Sequence, residues 1–236
     1  MEVRAQIRAL VRGRYGVPWR PRTDAVPPPY NELAGQDLGR LAALSDGLFA
    51  IAMTLLVFQF RVPAVAGIHT DRDLWHALSV VGVAPRIITY LLSFLTLGNF
   101  WIGQQTHFNH VARADRTLAW LHLTFLAAVA TMPFSTALLA DFITVRLALV
   151  LYWANILILG VLLVLGWRYA SRRGLVRDDA PAGLARAIGR RIVVAQVLYA
   201  CGAALCVINT SWSIGVIVVV QLNYAIAPRL PGLSRL

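Results

Sequence analysis

The stretch Arg40 to Phe60, RLAALSDGLFAIAMTLLVFQF, decides how the chain is read. It is an apolar run about one bilayer thick, since a membrane span needs roughly 20 predominantly apolar residues, and it holds a single carboxylate, Asp46. A carboxylate at such depth is costly unless it is paired or lines a wet cavity. Asp46 is therefore a functional or architectural commitment. Arg40, Leu44, Gly47, Ile51, Thr54 and Phe58 recur at alternating spacings of four and three, the a/d seam of a heptad. Ile51, Leu55 and Phe58 share the i, i+4, i+7 face with Thr54 beside them. A helix with one such stripe can meet copies of itself around an axis. Asp46 lies about 80–160° off that stripe on a helical wheel and is expected to point at a neighbouring helix.

Working outward, composition excludes an ordinary soluble domain: 58% of residues are hydrophobic and 14% are charged, and the apolar runs are long enough to cross a bilayer. The expected fold is all-α, a polytopic membrane protein with six transmembrane helices. All 22 basic residues are Arg, and the formal net charge is +11. Such a balance can signal nucleic acid, but these arginines flank apolar spans and read as topology signals, so no nucleic-acid partner is expected. Cys201 and Cys206 lie five apart in one apolar segment and would point about 140° apart on a helix. They suggest packing rather than a disulfide or a metal site.

Residues 1–37 form a cytoplasmic Arg/Pro-rich tail, 38–228 the six-helix membrane domain, and 229–236 a short cytoplasmic tail. Arg4, Arg8 and Arg12 oppose Val3, Ile7 and Leu10, a pattern for a basic amphipathic helix on anionic lipid or for a solvated tail. No apolar core of a cleaved signal peptide is present in it. Pro27-Pro28-Pro29-Tyr30 reads as an extended linker. After the first span comes a polar loop with a short interfacial helix over Leu74 to Val83. The second span is expected from Pro85 to Trp101, with Gln104 to His110 leading out. The third runs from Leu118 to Leu139 with a kink at Pro133, and the fourth from Phe142 to Trp167. The fifth covers Ile192 to Ile208, and the sixth ends near Ala227 after a turn at Asn209 to Ser213. Eighteen arginines fall on the side of the termini and four on the other (Arg61, Arg72, Arg86 and Arg146), which places both termini in the cytoplasm.

The chemistry must then be that of a six-span chain. No Walker A loop, G-x-S-x-G elbow or H-E-x-x-H helix occurs, which argues against an enzyme. His107 and His110, with Asp115 and His122 near in sequence, read either as a metal or proton site or as local hydrogen-bonding groups at a helix end. The backbone-carbonyl potassium filter T-V-G-Y-G is absent, so selectivity in a channel would come from side chains. A ring of Thr54 hydroxyls, one per subunit, would replace part of an ion's hydration shell. Rings of Ile51, Leu55 or Phe58 would close the path by dewetting. The same residues also suit plain helix packing, with Thr54 back-bonded to its own helix.

Arg40 with Leu44-Ser45-Asp46-Gly47, followed by Phe49-Ala50-Ile51-Ala52 and Thr54-Leu55-Leu56, resembles the R-x3-F-S-D-G signature of the transmembrane protein 175 family of potassium channels, whose animal members are lysosomal. The likeness continues through Tyr90-Leu91-Leu92-Ser93-Phe94, Trp101, Phe108, Asp115 and Met132-Pro133-Phe134-Ser135. The resemblance implies a homotetramer in a bacterial plasma (inner) membrane, with the first helix of each subunit around the ion path. By it, Ile51, Leu55 and Phe58 take the constriction positions, Thr54 the hydroxyl layer, and potassium ions are the permeant partner without any cofactor. Arg40, Ser45, Asp46 and Gly47 form the structural motif. Ser45 and Asp46 would bond sideways to the second and third helices, with Gln104, Gln105, His107, Asp115 and His122 as candidate partners. Gly47 would permit close helix approach, and Arg40 would pair with Asp46 or Asp115 or lie at the pore mouth. Leu44 replaces the usual Phe, Gln104 and His122 replace a usual His and Asn, and Phe58 is bulkier than the common Leu, departures that touch the polar network and the constriction. Two other classes stay open at this level: a proton-coupled transporter using Asp46 and the histidines, and a non-conducting scaffold whose Arg-rich tail binds lipid.

Overall fold

A computed structural model describes residues 37–60, 68–80, 83–177 and 183–226. The tail with its amphipathic start and proline run, apart from Asp37, and residues 229–236 lie outside the described residues. Helix α1, Leu38–Leu55, opens on Asp37, whose side chain accepts the Arg40 amide at 3.1 Å, an N-cap that satisfies one orphan donor of the first turn. It tightens into a 3-10 turn over Leu56–Gln59. Two stripes run its length: Ser45, Phe49, Ala52, Leu56 and Gln59 are buried, while Ile51, Thr54, Leu55 and Phe58 face away from the subunit.

Helix α2, Asp71–Val80, is short and polar. The Thr70 hydroxyl donates to Asp73 Oδ2 at 2.8 Å, and the Asp73 amide returns a bond to Thr70 Oγ1 at 3.2 Å, so the two residues cap each other. The Thr70 hydroxyl holds the Asp73 carboxyl below the usual carboxylate range. Helix α3 spans Val83–His110 without interruption. The expected end at Trp101 is not found, because a single Gly103 is no helix breaker and no proline follows. At about 1.5 Å per residue the 28 residues reach about 42 Å, beyond a hydrocarbon core of about 30 Å.

The third pass is broken into α4, Arg116–Ala130, and α5, Met132–Asp141. The interruption falls at Thr131, two residues before the expected kink at Pro133. Pro133 occupies the first turn of α5, where its missing N–H costs nothing, while the carbonyl four residues earlier loses its donor. Helix α6, Arg146–Arg172, starts after a turn at Phe142 to Val145, and Gly174 at φ 63° ends it. The Leu175 amide reaches back to the Ala170 carbonyl at 3.0 Å, a closure that needs the left-handed residue between them. Helices α7, Leu184–Ala204, and α8, Thr210–Ile226, complete the bundle, with a 3-10 turn Leu205–Val207 between them.

Five helical passes are long and apolar enough to cross a membrane, and α8 adds a shorter apolar helix of 17 residues, giving the six-pass order expected. The loops after α3 and after α6 lie at one end: Ala112 N–H donates to Leu175 O at 2.8 Å, and Arg177 N–H to His110 O at 2.9 Å. This is the alternation that six passes require. Beneath them, Val111, Ala114, Leu118, Trp167 and Leu175 form one apolar cluster, with Leu38 and Leu41 of α1 packed against it. The larger core runs from Phe49 through Leu92, Leu97, Phe125, Leu126, Met132 and Leu149 to Ile156 and Ile217.

A set of neutral polar side chains inside this core bond to one another, as a low-dielectric interior favours. Thr136 Oγ1 donates to Ser93 Oγ at 2.7 Å, Ser93 Oγ to the Tyr152 hydroxyl at 3.3 Å, and Gln221 Nε2 to Thr96 Oγ1. These bonds fasten α3, α5, α6 and α8 together where no water competes. A Cβ at Gly202 would stand 3.1 Å from Ile217, so glycine there lets α7 and α8 approach.

Candidate functional site

The outward stripe of α1 stays exposed among the described residues. Ile51 is 56% exposed, Leu55 44% and Phe58 78%, with Thr54 exposed among them. The Thr54 hydroxyl donates to the carbonyl of Ile51 at 2.8 Å. A hydroxyl has one donor and two acceptor lone pairs, so placing the proton on its own helix leaves the oxygen's lone pairs to face outward. Back-bonding and an ion-facing hydroxyl, alternatives in the sequence, are compatible in the structure.

Behind that stripe a polar layer fixes the rotation of α1. Ser45 is fully buried, accepts from Gln104 Nε2 at 2.7 Å and lies 2.5 Å from His122 Nε2. One hydroxyl thus ties α1 to α3 and to α4. The neighbouring Asp46 turns another way, and its Oδ1 accepts from Trp101 Nε1 at 2.8 Å and Gln105 Nε2 at 2.9 Å. Gln104, Gln105 and His122 are thus brought to the motif as expected. The His122 ring is held by Phe108 and Phe125, at centroid distances of 5.0 and 6.0 Å. Gln104, His107 and His122 also line a cavity of about 50 Å³.

Other expected partners stand elsewhere. His107 is buried but stacks on Trp167, with centroids 4.8 Å apart, and bonds to neither Ser45 nor Asp46, because it projects one turn beyond Gln104 toward α6. Asp115 is the N-cap of α4: Oδ1 accepts the Leu118 amide at 2.8 Å and Oδ2 the Tyr169 hydroxyl at 2.6 Å. Its place directly before the first helical residue gives it that task. Arg40 is exposed and pairs with neither Asp46 nor Asp115. A Cβ at Gly47 would meet nothing within 4 Å, so the close approach expected there is not made among the described residues. His110 Nδ1 lies 2.7 Å from its own helix's Thr106 carbonyl. Among the described residues no group of three metal-capable side chains exists.

Sequence reasoning missed two contributors. Trp101 stood in the motif blocks, yet its indole N–H was not paired with Asp46; the signal was an amphipathic donor one turn before Gln105. The second is Arg86, 7% exposed, which donates to Gln59 O at 2.7 Å and to Asp141 Oδ1 at 2.5 Å. Its signal was opposite charges at the ends of two apolar spans.

Residues 40–133 match the profile of the family described as endosomal/lysosomal potassium channel TMEM175. A potassium channel of Streptomyces collinus is 36% identical over 157 residues, covering 64% of this chain and 74% of that protein. One from Chamaesiphon minutus is 29% identical over 194 residues, 80% of this chain and 94% of that protein. The crystal structure of a lysosomal potassium-selective channel TMEM175 homolog from Chamaesiphon minutus superposes with a TM-score of 0.68 at 28% identity, covering 82% of this chain and 98% of that one.

Proposed function

The chain belongs to the TMEM175 potassium channel family, and from that premise we propose that it is a homotetrameric, potassium-preferring channel whose ion path is lined by α1 of each subunit. The observation that carries this reading is the division of α1 into a packed stripe and an outward one that includes Ile51, Thr54, Leu55 and Phe58. One helix cannot enclose a path, so copies related by symmetry must. Four is the number that the family resemblance implies.

Around the axis, Ile51, Leu55 and Phe58 would stack as apolar rings, and Thr54 would place a layer of oxygen lone pairs among them. An ion passing the rings sheds water against hydrocarbon, which is costly. A larger, less strongly hydrated cation sheds it more readily, so potassium is preferred over sodium. Thr54 oxygens return part of the lost coordination. Ser45 and Asp46 take no part in coordination and instead hold α1 at the rotation that aims the stripe inward. Gly47, open on its helix face, would admit a neighbouring subunit. The arginine asymmetry supports a reading with both termini in the cytoplasm, and the bacterial relatives support one with the bundle in a bacterial plasma membrane.

The test is the reversal potential of purified protein in a planar bilayer with potassium on one side and sodium on the other. A potential displaced toward potassium equilibrium, with a smaller displacement in Thr54→Ala, supports a selective path through this layer. Absence of current from a stable oligomer sinks the channel reading.

A further inference from the structure

The C-terminal turn of α1 is where the outward stripe ends, and the structure shows what grips it. Phe58 is the most exposed of the three apolar residues of the stripe, so its ring gains little positional restraint from packing within the subunit. Its place is set by the backbone on which it stands, a single 3-10 turn, Leu56–Gln59. Such a turn leaves its last carbonyls without intrahelical donors. The carbonyl of Gln59, adjacent to Phe58, accepts from Arg86 Nη1 at 2.7 Å, and Nη2 of the same guanidinium donates to Asp141 Oδ1 at 2.5 Å. The Gln59 side chain adds a weaker tie from Thr89 Oγ1 at 3.4 Å.

We propose that Arg86 is a positioning residue of the ion path: its guanidinium fork, oriented by Asp141, holds the last turn of α1 and thereby fixes where the Phe58 ring stands. This rests on the pore reading of α1. The physical case is that a guanidinium so nearly buried must be paired, and the two acceptors described belong to two other helices. Arg86 stands in the first turn of α3 and Asp141 at the last residue of α5. One cation therefore sets three helix ends at once. A positive charge at the C-terminal end of α1 also complements its dipole. Arginine is required because two N–H groups in a fixed fork reach two acceptors, which the single ammonium of lysine does not reproduce.

Two readouts test this in the full-length protein with Cys201→Ser and Cys206→Ser. First, a spin label on Phe58→Cys reports the mobility of the turn. Arg86→Gln and Asp141→Asn are expected to raise it, with Arg86→Lys intermediate, in protein that keeps its oligomeric state; unchanged mobility overturns the proposal. Second, single-channel potassium conductance is compared in a double-mutant cycle. Arg86→Gln is expected to change conductance about threefold or more beside Phe58 and far less in a Phe58→Ala background, the non-additivity of coupled sites. An equal change in both backgrounds overturns it, because Arg86 then acts elsewhere. If Arg86→Gln does not assemble, the near-isosteric Asp141→Asn carries both arms. Absent current in the unsubstituted protein sinks the pore reading, while the spin label still decides whether Arg86 holds the turn.

Discussion

Thr54 shows how much one hydroxyl's bonding decides. Its proton lies on the Ile51 carbonyl, so Thr54→Ser should retain most of the potassium preference and Thr54→Val, equal in shape but without the oxygen, should lose it; bi-ionic reversal potentials separate the two. Ser45 is the opposite case, a hydroxyl with no outward face. Ser45→Ala would strand the buried Gln104 amide and the His122 ring nitrogen, and leaving such groups unsatisfied costs about 1–3 kcal/mol. The expected result is a lower unfolding temperature in detergent and little change in ion preference among the molecules that still assemble. Asp46→Asn keeps an acceptor for Trp101 and Gln105 and should be milder than Asp46→Ala by the same measure. The residue types at these positions were legible because a Ser-Asp pair inside an apolar span has few uses. Their partners were legible where a polar side chain stood inside one of the next two apolar passes, as Gln104, Gln105 and His122 do. Trp101 was not, because an indole in a span reads equally well as packing, and its N–H is assigned only once α1 and α3 are placed side by side.

Among the elements, caps did more than periodicity to set the boundaries. Asp115 starts α4 and also takes the Tyr169 hydroxyl, so Asp115→Ala should cost about 0.5–2 kcal/mol for the lost cap and somewhat more for the stranded hydroxyl. Asp115→Asn, itself a good N-cap, should recover part of it, as thermal unfolding would show. Helix α2 depends on the exchange between Thr70 and Asp73. The folded pKa of Asp73 is lowered, so its contribution is present at neutral pH and is lost as acid protonates the carboxyl. Amide protection over residues 70–74, corrected for the intrinsic exchange rate, should therefore fall on acidification, and Thr70→Val should weaken that pH dependence, the backbone bonds from His69 and Thr70 to Asp73 remaining. Apolar patterning revealed that each pass exists, but not where α3 stops or where the third pass breaks. Hydropathy falls at Gln104 although hydrogen bonding continues to His110, and Pro133 acts on a carbonyl four residues before itself.

Across the whole molecule, an even number of passes and an uneven distribution of arginines make a single topological claim. A cysteine placed at Asp71, the first residue of α2, should react with a membrane-impermeant thiol reagent added to intact cells, and one placed at Arg173, after α6, should react only once the cells are opened. The reverse pattern would invert the orientation. The six-pass order was readable from composition and spacing alone. The charged contact from Arg86 to Asp141 was not, since it joins residues 55 apart at the ends of two spans, and nothing local announces that those ends meet.

The backbone pairing of Ala112 with Leu175, and of Arg177 with His110, has a mechanical meaning for α1. It braces the apolar cluster on which Leu38 and Leu41 rest, so α1 is anchored near its N-terminus there and at its last turn by Arg86. Phe58 sits about 25 Å along the helix from Leu41, at about 1.5 Å per residue. A tilt of about 5° would then carry the ring through about 2 Å, more than the ~1.4 Å radius of a water molecule. In the proposed tetramer a rotation that small would be enough to admit or exclude water at the Phe58 ring, and the two anchors are what oppose it.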